Sequence, residues 1–302
     1  MPPLSLVIAT KDRPDDLRRL LCSLAAQSAR PDDVVIVDAS ATPVDKVLAE
    51  FPELNTRYMR HWPPSAAAQR NAGIRACSAA SELIGFVDDD AAFEPESIAN
   101  MLRFWETAAG NTQGASFNMR NYPLTGGQWL KRSAIAQFMG LYSAEPGAVA
   151  PSGWHTAIGQ VETTRFVEWL PSGAVVWRRG VFEAGAFDEF FGGYSYLEDL
   201  DFSYSLSRRG RLAVVADAGY LHFSSVGGRG SARQFGRVEV RNRLHFVRKH
   251  GLSLSRCWLA LAIRIAMTVI TGIGRLDGAM LSRAAGNMEA ILPALLGRRQ
   301  TT

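Results

Sequence analysis

Residues 83–95, LIGFVDDDAAFEP, contain the most informative pattern of the chain, an apolar run followed directly by three aspartates. Residues 84–87 are mostly apolar, as in a short buried strand, and are followed directly by Asp88, Asp89 and Asp90. Three adjacent carboxylates repel one another, so proteins rarely place them at the end of a core strand unless a cation lies there. Mg²⁺ or Mn²⁺ prefers such oxygen ligands and is completed by substrate phosphates. The alternative is that the aspartates cap the helix that Pro95 begins.

The composition of the 302-residue chain is that of an ordinary globular protein, with 47% hydrophobic and 21% charged residues. This length suits one large domain or two small ones. The three cysteines lie far apart and form no CxxC pair, which predicts neither a disulfide framework nor a zinc site and favours a reduced, cytosolic environment. No basic segment precedes the short N-terminal apolar run, so no signal peptide is expected.

The net charge of +4 is unevenly distributed along the chain. From residue 251 onward, six arginines face two acidic residues, so this tail carries the whole excess. A nucleic-acid-binding protein usually carries a basic stripe on its folded domain, so no nucleic-acid partner is expected. A basic tail favours contact with an anionic surface.

The first 60 residues predict a βαβ unit. Apolar runs at 4–9 and 33–37 predict buried strands, and leucines at helical spacing after Pro14 predict a helix between them. Strands joined in this way are parallel, and their ligands bind beyond the carboxyl ends. Thr10, Asp38 and the three aspartates all lie at such ends. Neither GxGxxG nor GxxxxGK[ST] occurs, which argues against a dinucleotide fold of the dehydrogenase type and against a P-loop.

Residues 65–76, SAAAQRNAGIRA, predict a helix of small residues that carries Arg70 and Asn71. An arginine on an alanine-rich helix is usually a solvated charge. Small neighbours also let a phosphate or a base edge approach its planar guanidinium. Both interpretations of Arg70 stay open on the local sequence.

Four segments together resemble a known family. VIATKDRPDDLRRLLCSL, VVIVDAS, AAAQRNAGI and FVDDDAAFEP occur in the order and at the approximate spacing of inverting family 2 nucleotide-sugar glycosyltransferases of the GT-A fold. The resemblance implies an α/β fold with a Rossmann-related, mixed and mostly parallel sheet flanked by helices. It also implies a catalytic domain at 1–225, with a nucleotide-sugar-binding half at 1–110 and an acceptor-binding half at 111–225. A C-terminal helical region at 226–302 would follow.

The resemblance assigns roles to residues by position. The residues that would bind the nucleotide sugar are Thr10, Asp38, Arg70, Asp88 and Asp89. Asp90 and His222 would hold the divalent cation, Mg²⁺ or Mn²⁺. A lone histidine on a strand is more often a packed, hydrogen-bonded residue, which is the alternative for His222. Ala39 and Ser40 depart from many family members, which have an acid or a glycine after the aspartate.

A second acidic cluster lies in LEDLDFSYSL, at the start of a predicted helix that Gly210 ends. Helix capping accounts for one or two acids in a first turn. Sugar transfer to a hydroxyl would explain the cluster, because this reaction requires a carboxylate that accepts the alcohol proton as the new bond forms. The segment resembles the ED motif of the family, which makes Asp199 the predicted base. Glu198 would orient the acceptor or the base, and Asp201 would stabilise the helix.

Residues 257–274 are apolar apart from Arg264, Thr268 and Thr271. A transmembrane helix needs ~20 apolar residues, and a central arginine costs about 2.5 to 3.5 kcal/mol, so spanning is not favoured. Helical spacing predicts one shared polar face for Arg264, Thr268, Thr271, Arg275 and Ser282. Two interpretations stay open: the helix lies in a bilayer interface with arginines toward anionic headgroups, or it packs on the catalytic domain or a second subunit.

The expected function is a metal-dependent inverting glycosyltransferase. It would move a sugar from a nucleoside-diphosphate donor to a hydroxyl of a saccharide or lipid-linked acceptor in bacterial surface polysaccharide synthesis. The expected location is cytoplasmic, at the inner face of the plasma membrane, with peripheral contact through the C-terminal helices. One alternative is a nucleotidyltransferase acting on a sugar phosphate, although TKDRPDD is not a glycine- and lysine-rich phosphate loop. The other is a catalytically silent membrane scaffold of the same fold.

Overall fold

A computed structural model describes residues 1–122, 133–192, 195–223 and 231–295. The chain forms two compact units. Unit 1 comprises Met1–Leu124 and Ile158–Gly228, and unit 2 comprises Thr125–Ala157 and Arg229–Thr302. Thr125–Ala157 therefore groups with the C-terminal helices, and the catalytic-domain boundaries given above remain predictions.

The strands in chain order are β1 (Leu4–Thr10), β2 (Asp33–Asp38), β3 (Thr56–Arg60), β4 (Leu83–Asp88), β5 (Ala91–Phe93), β6 (Thr112–Met119), β7 (Arg165–Val167), β8 (Ala174–Arg178) and β9 (Arg211–His222). The helices are α1 (Pro14–Ala25), α2 (Asp45–Leu48), α3 (Ala66–Ala76), α4 (Ser97–Thr107), α5 (Ala134–Phe138), α6 (Glu198–Ser207), α7 (Ala232–Lys249), α8 (Leu254–Gly274) and α9 (Gly278–Leu295). Two short 3-10 turns cover Arg179–Ala184 and Glu189–Phe191.

Unit 1 is built on a nine-stranded sheet with the order β3-β2-β1-β4-β8-β6-β9-β5, and β7 pairs with β9. Six strands point in one direction, because β1 to β4 are mutually parallel, β8 is antiparallel to both β4 and β6, and β9 is parallel to β6. The predicted mixed, mostly parallel sheet with flanking helices is confirmed. Its core follows from local pattern, since the four predicted leucines of α1 are all buried at helical spacing.

The parallel register brings the predicted site residues to one edge of the sheet. Thr10 lies opposite Asp38 at the ends of β1 and β2, and Ala9 lies opposite Asp88 on β4. These carboxyl ends are where ligands of such sheets bind. The strand ends predicted from the apolar runs therefore share one edge.

Unit 2 holds α5 and the three long C-terminal helices. Arg243 of α7 is almost fully buried, and its guanidinium lies 4.5 Å from the ring centroid of Trp154 and donates to the carbonyl of Gly153. Glu239 of α7 is also buried and accepts hydrogen bonds from Arg283 of α9 at 2.7 and 3.1 Å. Buried charges of this kind need such partners, so these pairs specify how the pieces of unit 2 pack.

The prediction of one polar helical face from Arg264 to Ser282 is wrong. Helix α8 ends at Gly274, and Leu276 has a φ of +52°, which breaks the helix. The carboxylate of Asp277 then accepts from the backbone N–H groups of Ala279 and Met280 at 2.9 and 3.1 Å and caps α9. Ser282 therefore lies on a different helix from Arg264.

Candidate active site

The first acidic cluster lies in the turn between β4 and β5. The backbone N–H of Asp88 donates to the carbonyl of Gly173 at 3.0 Å, just before β8. The carbonyl of Asp90 accepts from the N–H of Phe223 at 2.8 Å, just after β9. The turn is therefore held from two sides, which limits the positions its carboxylates can take.

Three side chains of this region can hold a metal ion. One ligand atom each of Asp88, Asp90 and His222 lie within 4.8 Å of one another. The Nε2 atom of His222 is 3.1 Å from Oδ1 of Asp90 and 3.7 Å from Oδ2 of Asp88. Hydrogen bonds to Asp88 and Asp90 raise the pKa of His222 to about 10. A divalent cation could take the place of this proton, with the neutral imidazole and the two carboxylates as its ligands.

A buried polar atom nearby tests whether a hydrated ion fits. Tyr220 is fully buried, and its hydroxyl has no hydrogen-bond partner among the described residues. A Cβ added at Gly173 would lie 3.1 Å from this hydroxyl and 3.6 Å from Oδ2 of Asp88, so both atoms border the same space. An unsatisfied buried hydroxyl costs about 1–3 kcal/mol. A water bound to Mg²⁺ or Mn²⁺ would satisfy it, since both ions keep several waters, and the residues present fit such an ion.

Asp89 has different partners from its two neighbours. Its carboxylate accepts from the Thr10 hydroxyl at 2.8 Å and from Nη1 of Arg13 at 3.0 Å. Burial raises the pKa of Asp89 to about 6 even though Arg13 and Thr10 act in the opposite direction. Thr10 and Asp89, both predicted to bind the donor, are therefore in direct contact.

Asp38 is fully buried, and its carboxylate is already engaged by its surroundings. It accepts from the N–H groups of Ser40 at 2.7 Å and Val44 at 3.2 Å. The Tyr58 hydroxyl and the Arg60 guanidinium donate to it at 2.6 and 2.9 Å. Burial acts against the charged form, but the hydrogen bonds from Ser40 and Tyr58 hold the pKa of Asp38 below its usual value. With donors from the segment after β2 and from β3, the Asp38 carboxylate holds these two parts of the chain together.

Helix α3 connects the two halves of the site through three consecutive side chains. Gln69 donates to the carbonyls of Thr10 and Val37 at 3.1 and 2.8 Å. Asn71 donates to the carbonyl of Phe187 at 2.9 Å and accepts from its N–H at 3.0 Å. These bonds fix α3 between the strand ends and the segment that precedes the second acidic cluster.

Arg70, between these two residues, joins the acidic clusters. Its Nη2 atom is 3.1 Å from Oδ1 of Asp88, and its Nη1 atom is 2.6 Å from Oε1 of Glu198. The side chain is 6% exposed, so the guanidinium is held inside the site. Because one planar fork contacts both carboxylates, the two clusters that the sequence placed 110 residues apart lie within one side chain's reach.

The second cluster opens α6, directly after Leu197 with its φ of +75°. Glu198 and Asp201 are buried, and Asp199 is half-buried. The carboxylate of Asp199 accepts from the N–H of Leu200 at 2.7 Å and from that of Ser172. Ser172 precedes Gly173, which contacts Asp88, so a second connection joins the clusters.

Burial shapes the chemistry of the acid pair. Burial raises the pKa of Glu198, and the charge of Asp199 raises it further, whereas Arg70 lowers it. Burial also raises the pKa of Asp199. A carboxylate with a raised pKa holds a proton more tightly once it has accepted one, which suits a general base. The arrangement therefore places residues that could hold a cation near carboxylates that could accept a proton.

Several residues of this site were not identified from sequence. They are Arg13, Tyr58, Arg60, Gln69, Ser172 and Tyr220. Arg13 lies in the turn after β1, and Arg60 is the last residue of β3, so the rule that strand ends bear ligands would have found these two. Tyr58 lies in the middle of β3, where that rule gives no signal. Tyr220 lies within a strand, and its sequence context carries no such signal.

Residues 5–159 match the model of a family described as Glycosyl transferase family 2. A curated relative, the uncharacterized glycosyltransferase YwdF of Bacillus subtilis (strain 168), is 33% identical over 129 residues. That match covers 40% of this chain and 47% of YwdF, so the chain spans about half the length of that relative.

Solved structures share the fold. The mannosyltransferase PcManGT from Pyrobaculum calidifontis, in complex with GDP-Man and Mn²⁺, has a TM-score of 0.56 and 15% identity, covering 99% of this chain and 88% of that one. Residues 1–349 of S. aureus TarS, in complex with UDP-GlcNAc, have a TM-score of 0.53 and 14% identity, covering 99% of this chain and 93% of that one.

Proposed function

Because the chain belongs to glycosyl transferase family 2, we propose that it is a metal-dependent inverting glycosyltransferase. It moves a sugar from a nucleoside-diphosphate donor to a hydroxyl group of a saccharide or lipid-linked acceptor. The observation that carries this proposal is the position of Arg70 between Asp88 and Glu198. It brings the candidate cation ligands close to the second acidic cluster.

The reaction assigns a role to each acidic cluster. The acceptor oxygen forms a bond to the anomeric carbon as the bond from that carbon to the diphosphate oxygen breaks, and attack on the opposite face inverts the configuration. Asp199 takes the acceptor proton, and Glu198 orients Asp199 or the acceptor. Arg70 holds Glu198 and Asp88 at a fixed separation, which pre-organises the site.

The cation belongs to the donor side. Asp90 and His222, together with Asp88, would hold Mg²⁺ or Mn²⁺. When bound, such an ion stabilises the charge that develops on the leaving diphosphate. The Mn²⁺ named in the PcManGT complex supports a divalent cation here, as do the two carboxylates, which suit Mg²⁺ and Mn²⁺. Thr10, Asp38, Arg70, Asp88 and Asp89 are proposed to form the wall that receives the nucleotide sugar.

The acceptor and the location follow from the class of reaction and from the tail. A hydroxyl of a lipid-linked or surface saccharide, in bacterial surface polysaccharide synthesis, is the proposed acceptor. The enzyme would then work in the cytoplasm, at the inner face of the plasma membrane. No nucleic acid is proposed as a partner.

Calorimetric titration of the full chain with UDP and GDP, with and without Mn²⁺, tests the donor site. We expect nucleotide binding that requires Mn²⁺ and that is lost in Asp90→Ala and His222→Ala, because each removes one ligand. Asp217→Asn is the matched control, since Asp217 is an exposed aspartate on the same strand as His222. Equal nucleotide affinity with and without Mn²⁺ would contradict metal dependence. Binding of neither UDP nor GDP in the presence of Mn²⁺, nor of any sugar donor in a panel of UDP-, dTDP- and GDP-sugars, would contradict the proposed donor site.

A further inference from the structure

Helix α8 is the one helix of the described residues that is long and apolar enough to cross a membrane by length and composition. Its most apolar 18-residue window has a mean hydropathy of 1.8, yet just 33% of that window is buried. A core helix of a soluble protein buries most of its residues. Much of the apolar surface of α8 therefore faces outward from unit 2.

The outward face is a continuous apolar stripe. Five residues at helical spacing form it: Leu259, Ala262, Ala266, Ile270 and Ile273. They fall within an arc of about 80° when each residue turns the helix by about 100°. Ile270 and Ile273 are 69% and 61% exposed, and Leu276, just beyond the helix, is 91% exposed. We call these six residues the outer stripe, and none of them is charged.

The opposite face of α8 is the one that packs within unit 2. Thr268 on this face is buried, and its hydroxyl donates to the carbonyl of Arg264 at 2.8 Å. The side chain of Arg264 approaches Glu239 of α7 at 3.8 Å. Gly272 lies against α9, where an added Cβ would be 2.9 Å from Leu281. The other buried residues of α8 are Cys257, Ala260, Leu261, Ile265 and Gly272, so the helix is apolar on its packed face as well as along the outer stripe. An ordinary surface helix is polar on its outward face.

The charge of unit 2 identifies what covers such a stripe. Unit 2 contains 15 lysines and arginines and four acidic residues, a net charge of +11, whereas unit 1 has 18 against 25, a net charge of −7. Exposed Arg256 and Arg275 flank the two ends of α8, and exposed Arg248 lies shortly before it. A second copy docked through the same stripe would bring two strongly positive units together, which is electrostatically unfavourable.

We propose that the outer stripe of α8 lies in the interface of an anionic lipid bilayer, with the helix in the membrane plane and the flanking arginines at the phosphate level. A helix of this kind inserts its apolar face about 5–10 Å into the headgroup boundary. Each basic residue near an anionic surface contributes about 1 kcal/mol. This inference rests on the proposed function and names the surface that brings the enzyme to a membrane. Lipid binding is measured without turnover, so its failure can be distinguished from a failure of the proposed activity.

Flotation of the full chain with vesicles tests the proposal. The vesicles contain equal parts of phosphatidylcholine and phosphatidylglycerol, and pure phosphatidylcholine serves as the neutral comparison. We expect binding to the mixed vesicles, and a loss of about tenfold or more in Ile270→Ser/Ile273→Ser, because two exposed apolar side chains no longer insert. Ile270→Leu/Ile273→Leu is the matched control and keeps wild-type binding.

A charge variant separates the two contributions. Arg256→Gln/Arg275→Gln keeps the outer stripe, and we expect it to lose about fivefold per arginine on mixed vesicles with no change on neutral ones. Circular dichroism of each variant checks that unit 2 keeps its helices. Equal flotation of the wild type and the serine variant would overturn the proposal. So would a dimer in analytical ultracentrifugation that the serine substitutions dissociate, combined with no lipid binding by the wild type.

Discussion

At the scale of single residues, the proposed mechanism gives different roles to two neighbouring acids. Glu198 is buried against Arg70, whereas Asp199 is half-buried and bonded to backbone N–H groups that an asparagine can also engage. Glu198 therefore lacks the freedom to meet an incoming alcohol. Asp199 has both the access and the raised pKa of a base.

Asp199→Asn should lower kcat by about 10²- to 10⁴-fold while leaving donor affinity unchanged. The amide keeps the shape and the backbone contacts but cannot accept a proton. Initial rates of transfer and calorimetric titration of the donor measure the two effects separately. Asp217→Asn should leave both unchanged, and an Asp199→Asn enzyme within tenfold of wild-type turnover would move the base to another residue.

The pH dependence of kcat should report the same residue. Burial raises the pKa of Asp199 above its ordinary value of about 3.9. A base works when deprotonated, so turnover is full above this raised pKa and falls as the pH decreases through it. Rates measured from pH 4 to 8 on a folded enzyme, checked by circular dichroism, should show an acid limb above the ordinary aspartate range. An acid limb at or below that range would argue against Asp199.

At the scale of elements, close helix contacts explain Gly236 and Gly286 of unit 2. An added Cβ at Gly286 of α9 would collide with the backbone carbonyl of Arg233, and one at Gly236 of α7 with that of Arg283. Backbone atoms cannot rotate away as a flexible side chain can. The α7–α9 pair is therefore held at a separation that other residues do not permit.

Gly286→Ala should destabilise the protein by about 1–3 kcal/mol, as overpacking of a tight contact does. Gly278→Ala is the matched control, because Gly278 lies on the same helix with no atom within 4 Å of an added Cβ. That substitution should be neutral or stabilising, since alanine favours helix by about 1 kcal/mol over glycine. Urea unfolding measures both, and equal stability of the two variants would show that the helix pair can separate without cost.

The elements also show how far sequence reasoning reaches. Local apolar pattern predicted strands at 4–9, 33–37 and 84–87, which the structure places at 4–10, 33–38 and 83–88, and it predicted helix α1. The pattern suffices there because each element buries the face that its own spacing defines. The position of β8 between β4 and β6 depends on partners far apart in sequence, which local pattern does not encode. For α8, periodicity placed Arg264, Thr268 and Thr271 on one face but wrongly extended that face to Ser282, because the break at Leu276 carries no periodic signal.

The site divides in the same way. Residues at strand ends, such as Thr10, Asp38 and Asp88, were found because the fold class determines where strand ends lie. The contact of Arg70 with Glu198 was not, because it requires knowing that α3 and α6 meet. Asp38 accepts four hydrogen bonds within the protein, two of them from Tyr58 and Arg60 of β3. These two partners could not be predicted, because no local sequence pattern pairs side chains of β3 with β2.

At the scale of the whole molecule, the distribution of charge is the dominant feature. A chain with a net charge of +4 carries +11 in one unit and −7 in the other. The net charge of the whole chain is therefore much smaller than the positive charge that unit 2 can present to phosphate groups. Long-range attraction of this kind is screened over about 10 Å at 0.1 M salt.

Binding to vesicles that contain phosphatidylglycerol should weaken as the salt concentration rises, with a residual apolar contribution that salt does not remove. Co-sedimentation of the full chain across a salt series measures the dependence. Arg256→Gln/Arg275→Gln should show a shallower dependence than the wild type, because fewer charges are screened. Affinity that does not change with salt would contradict an electrostatic role for unit 2.

The split of unit 2 between two distant stretches of chain has a consequence for biosynthesis. Trp154 and its neighbours leave the ribosome long before α7, since Gly153 bonds a residue 90 positions later. At about 5–20 residues per second, roughly 5 to 18 seconds of translation separate them. Through that interval the Trp154 indole lacks the guanidinium that later packs against it, so this part of unit 2 can complete its packing only after Arg243 has been synthesised.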